Sequence, residues 1–93
     1  MKKTVYEKSI RGIVNQMTQI IGPVAIMQAN TLKGLRVTAL GDVDIKGDAV
    51  DKIKKLIKAY EVLIGPVAAT IAKKGIQKIL EKNPKLKIPE EWG

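Results

Sequence analysis

The side chains that most often carry out chemistry are scarce in this chain. It has no His and no Cys. That removes the commonest general base, the commonest transition-metal ligand, and every thiolate nucleophile, thiolate metal site or disulfide. The carboxylates are scattered. Asp42-x-Asp44 with Asp48 loosely matches the start of a calcium loop, but the Glu that closes such a loop belongs at position 53, which is Ile. Gly41 and Gly47 bracket this stretch, and the acids between them repel phosphate, so it makes a poor phosphate loop. Ser9 and the threonines have no base beside them in the sequence. No catalytic residue, metal site or cofactor is expected, and the chain is not expected to be an enzyme.

What remains chemically is cationic. Fifteen Lys and two Arg face nine Asp and Glu, a formal net charge of +8. Such a balance suits an anionic partner. The candidate nucleic-acid contacts are Lys52, Lys54, Lys55 and Lys58 on one polar helix side, then Lys73, Lys74 and Lys78 further along. They would give sequence-independent, salt-sensitive affinity for phosphates. The competing reading is a Lys-rich solvated surface of the kind common in proteins from hot environments. It is favoured because neither an Arg cluster nor interleaved aromatics accompany the lysines.

These residues must be positioned by a small body. Ninety-three residues make one domain at most. Two Tyr, one Trp and no Phe leave the core to Ile, Leu, Val, Ala and Met. A core this thin is often completed by a partner subunit, and a homo-oligomer, a dimer first, is expected. Met1-Lys2-Lys3 opens like a signal peptide, but Glu7, Lys8 and Arg11 interrupt any apolar core, and the apolar stretches near 20–27 and 62–72 are too short to span a bilayer. A cytoplasmic protein is expected.

Thr4-Val5-Tyr6-Glu7 fits a capping box with Thr4 as N-cap. From there Tyr6, Ile10, Ile13, Val14, Met17, Ile20, Ile21 and Val24 recur at helical spacing, which predicts a helical segment over 4–32. Residues 35–46 alternate and are β-branched, with Gly41-Asp42 as a tight turn, which predicts a β-ribbon. Asp48 suits the N-cap of a second helical segment over 48–82, striped by Ile53, Leu56, Ile57, Tyr60, Leu63, Ile64 and others. Asn83-Pro84 stops it. The tail 83–93 is predicted to be extended, with Ile88 and Trp92 free to dock. The fold class is therefore α+β, predominantly α: one domain in which two Gly-Pro-interrupted amphipathic segments flank a short β-hairpin.

An internal repeat underlies the two segments. At an offset of forty-three residues, Gly22-Pro23 falls on Gly65-Pro66 within Ile-Gly-Pro-Val-Ala in both copies. Ile10, Ile13, Val14, Met17, Ile20 and Ile21 fall on Ile53, Leu56, Ile57, Tyr60, Leu63 and Ile64. Pro cannot donate to the carbonyl four residues back, so each segment either kinks or breaks there. Gly beside it, with Ala25, Ala68 and Ala72, makes a thin face that another backbone can approach. Gly22, Pro23, Ala25, Gly65, Pro66, Ala68 and Ala72 are the candidate interface. Tyr60-Glu61-Val62-Leu63-Ile64-Gly65-Pro66-Val67-Ala68, with Ala72 and Lys73-Lys74, resembles a short helical segment near the ends of some prokaryotic signalling proteins. The resemblance implies an accessory interaction module without catalysis. The function expected is thus a non-enzymatic, oligomerising structural or interaction module, with sequence-independent nucleic-acid binding as the alternative.

Overall fold

The computed structural model describes residues 2–39 and 41–82. Leu40 and the tail 83–93, with the docking expected of Ile88 and Trp92, lie outside them. Among the described residues the order is α1 (Lys2–Ile21), α2 (Val24–Ala29), β1 (Leu35–Val37), β2 (Val43–Ile45), α3 (Ala49–Ile64) and α4 (Val67–Lys82). The class is α+β, predominantly α, with helices on both sides of the hairpin.

Each helical segment breaks rather than kinks. Gly22 and Gly65 take positive φ, 73° and 79°, a backbone conformation that costs a side-chain-bearing residue roughly 1–2 kcal/mol. The two breaks share their hydrogen bonds. The Gly22 N–H donates to the Thr18 carbonyl at 2.9 Å and the Gly65 N–H to that of Glu61 at 2.8 Å. The Ala25 and Ala68 amides then donate back to the Gly22 and Gly65 carbonyls at 3.0 and 3.1 Å. Pro opens the next helix, where its missing N–H is harmless.

Burial follows the same offset. Ile10 and Ile53, Ile13 and Leu56, Met17 and Tyr60, Ala25 and Ala68, and Ala29 and Ala72 are all fully buried. They form one core with Val14, Ile57, Ile76 and the inward residues of the ribbon, Leu35, Val37 and Ile45. α1 packs mainly on α4, and β2 lies on α1. The α1–α4 contact is very close. A Cβ at Gly75 would stand 2.5 Å from the Gly12 carbonyl oxygen, and one at Gly12 would collide with the Gly75 carbonyl. Both glycines sit mid-helix, where Gly costs about 1 kcal/mol relative to Ala. The close approach of two backbones is the return on that cost.

Two local expectations need correction. The first helix already runs from Lys2, so Thr4 lies within its first turn and is not the N-cap. Helix ends commonly shift by a residue or two. The hairpin has a wider loop than a Gly41-Asp42 turn. The register is Leu35↔Ile45, Arg36↔Asp44 and Val37↔Val43, and the Thr38 amide donates to the Asp42 carbonyl at 2.9 Å, closing the loop two residues earlier than expected. Asn30 secures β1 by accepting from the Val37 amide at 2.7 Å and donating to its carbonyl at 2.8 Å. Asp48 is the cap that its position suggested, accepting from Val50 and Asp51.

Candidate functional site

The two breaks meet at one end of the helical pack. The Tyr60 hydroxyl donates to the Ala25 carbonyl at 2.7 Å, and the Gln28 amide donates to the Ala59 carbonyl at 2.9 Å. Ala25 is two residues past Pro23. Tyr60 is five residues short of Gly65, about 7–8 Å along a helix. Burial pushes the Tyr60 phenol well above its ordinary pKa, so it stays a donor to that carbonyl at any ordinary pH.

This end carries the exposed large aliphatics of the described residues. Ile20 and its equivalent Leu63 are 53% and 44% exposed, and Val24 and Val67 are 45% and 49%. Met27 at 67% and Val62 at 81% complete the set, with Pro23 and Pro66 also exposed beside them. The surrounding sequence is free of charge. No Asp, Glu, Lys or Arg occurs in 12–32 or in 62–72, although charged residues make up 28% of the chain. An exposed, charge-depleted aliphatic surface is the composition of an interface core.

The expected interface residues divide into two groups. Gly22 and Gly65 have nothing within 4 Å of the place a Cβ would occupy, so no backbone of the described residues crosses there; among those residues the close crossing is at Gly12 and Gly75. Ala25, Ala68 and Ala72 are fully buried in the chain's own core and are not available to a partner. Their small side chains pack the helices of one copy together. Pro23 and Pro66 are exposed at the break end. Ile20, Val24, Leu63 and Val67 were legible as part of the stripe, which does not say which of its members turn outward, while Met27 and Val62 lay outside it.

The lysines are more dispersed. Lys55 pairs with Asp51 at 3.1 Å, one turn apart on α3. Lys54 and Lys58 are exposed on α3, and Lys73 and Lys74 are exposed on α4. Lys52 is half-buried at the base of the ribbon. The side chain of Lys78 lies outside the described residues.

The remaining chemical candidates are occupied or apart. Ser9 is fully buried and its hydroxyl donates to the Val5 carbonyl at 2.9 Å. Asp48 caps α3, while Asp44 stands on the outer face of β2 opposite Arg36. Among the described residues no three carboxylates gather as a metal site would require, and no helix is long and apolar enough to cross a membrane. No protein-family model, curated protein or solved structure matches the chain.

Proposed function

We propose that this protein is a non-enzymatic interaction module that pairs with a second copy of itself through the end where the two helix breaks meet. The observation that carries this reading is that, among the described residues, the six exposed large hydrophobics all fall within four residues of Pro23 or Pro66. Their combined exposure is on the order of a few hundred Å², within the range of a functional patch on a lone chain and below the ~800 Å² per partner of a standard interface. Ile20 and Val24 have repeat equivalents in Leu63 and Val67, whereas Met27 and Val62 fall on Thr70 and Gln19, and a self-complementary patch of this kind suits an isologous twofold contact. Two chains of charge +8 also meet with least repulsion where neither carries charge. The likeness of residues 60–74 to an accessory segment of prokaryotic signalling proteins supports placing such a module beside a signalling system.

The test is the mass in solution by light scattering across a dilution series. A dimer is expected that dissociates when Val62→Asp and Met27→Asp place charges on the surface without touching the core. A wild-type chain that stays monomeric at millimolar concentration overturns the proposal.

A further inference from the structure

The base of the ribbon presents charge in a different place. Lys33, Arg36 and Lys46 line a surface cavity of about 230 Å³ together with Asp44, Asn30 and Gly34. The cavity is held by the strand register, with the Lys46 amide donating to the Gly34 carbonyl at 2.7 Å. A fourth cation stands beside it. Lys52, from the first turn of α3, lays its arm over Gly34. A Cβ there would meet Lys52 Cε at 2.7 Å, and Lys52 Nζ lies 3.2 Å from the same point. That ammonium is also 3.6 Å from where a Cβ on Gly47 would be.

The neighbouring acids are mostly committed elsewhere. Asp48 accepts the first amides of α3, and Asp51 pairs with Lys55. Asp42 is at the far end of the hairpin, its amide donating to the Thr38 hydroxyl at 3.1 Å. Asp44 is the one carboxylate on the cavity wall. Asn30 has both its amide oxygen and nitrogen occupied by Val37. Among the described residues, none of Lys33, Arg36, Lys46 and Lys52 is tied up in an ion pair.

We propose that this cavity binds a phosphate-bearing anion. Arg36 offers a planar fork of donors matched to phosphate oxygens, and Lys33 and Lys46 add ammonium groups from the cavity walls. Lys52 raises the local positive potential from beside the floor. Asp44, directly across the strand pair from Arg36, keeps the affinity modest. The three wall cations are exposed, so binding weakens with added salt. The phosphate can belong to a small phosphorylated molecule or to a nucleic-acid backbone.

The experiment is an amide NMR titration of the full chain with inorganic phosphate at constant ionic strength, with chloride as the control. A parallel arm uses a single-stranded oligothymidylate. Saturable shifts at Gly34, Lys46 and Gly47 with a millimolar Kd are expected. Arg36→Gln with Lys46→Gln weakens binding at least tenfold, and Lys54→Gln on α3 leaves it unchanged. The variants are at exposed positions, and their amide spectra report whether the fold is kept. An oligothymidylate that binds a hundredfold tighter than phosphate, through the same two residues, assigns the site to nucleic acid. One that binds no more tightly per phosphate assigns it to small phosphorylated molecules. Shifts that stay linear, that chloride reproduces, or that survive the double substitution overturn the site. Val62→Asp leaves the titration unchanged, so the outcome is separate from that of self-association.

Discussion

Two pairs of glycines organise this molecule in opposite ways. Gly22 and Gly65 are equivalent by the repeat, take positive φ, and have open space where a side chain would project. Gly12 and Gly75 are not repeat equivalents. They lie inside regular helices and are pressed against each other's backbone. The first pair is needed for its backbone conformation and the second for its missing side chain. The first pair ends helices, and the second lets the joined helices come together. Pseudo-symmetry therefore belongs to the local chain path and the core stripe, while the tightest tertiary contact is asymmetric.

Alanine substitutions separate these roles. Gly75→Ala drives a Cβ into the Gly12 carbonyl, and a backbone cannot yield as a flexible side chain can. A loss of about 3 kcal/mol or more is expected, read as a fall of at least roughly 12 °C in the melting temperature. A drop of under 5 °C would show that α1 and α4 can move apart cheaply.

Gly22→Ala and Gly65→Ala meet no atom of the described residues and suffer only from positive φ, so each is expected to cost roughly 1–2 kcal/mol in denaturant melts. Gly65 also has ψ of −165°, a region essentially reserved for glycine, which places it at the upper end. If either cost matched that of Gly75→Ala, the distinction between the two pairs would fail.

Tyr60 and Met17 sharpen the comparison between the repeat halves, since both are fully buried at equivalent positions and Tyr60 alone reaches across to Ala25 by a hydrogen bond. Tyr60→Phe should cost about 1 kcal/mol at neutral pH. Burial raises the folded-state pKa of Tyr60. Its contribution is therefore fully present below the unfolded value of about 10 and lost as pH rises above it. The stability difference between wild type and Tyr60→Phe should shrink above pH ~10 in urea melts at stepped pH. A difference that stays constant to pH ~11.5 would contradict the burial of the phenol.

The smallest effect belongs to Val62→Asp, at the most exposed of the large aliphatics. The stability of the single folded chain should change by no more than about 0.5 kcal/mol. A larger loss in a dilute thermal melt would mean that the break end is packed within the chain and does not face outward.

Much of this architecture was legible in the residues. The helical stripe of Ile10, Ile13, Met17, Ile53, Leu56 and Tyr60 identified core positions because one face of an amphipathic helix has to be buried. Asp48 marked the start of α3, and alternation with β-branched residues marked the hairpin. The stripe was silent about Ile20, Val24, Leu63 and Val67. They continue the same period, yet they lie where each helix stops and its neighbours no longer cover it. The absence of charge from 12–32 and 62–72 was visible in the sequence, and it became meaningful once Tyr60 and Ala25 brought the two stretches together. Gly12 and Gly75 carried a faint signal, being glycines inside helical runs, but nothing in their spacing pairs one with the other.

The sequence by itself determined local matters: where helices form, that Gly-Pro interrupts them, which residues face inward, and that His and Cys chemistry is absent. Those follow from dihedral preferences, periodicity and side-chain inventory, all of which act over a few residues. Tertiary structure decided that the helices cross at Gly12 and Gly75, that both breaks share one end, and that Lys33, Arg36 and Lys46 surround one cavity with Lys52 beside it. Those depend on contacts between residues far apart in the chain, and their geometry is set by how closely backbones can pack, which no local pattern encodes.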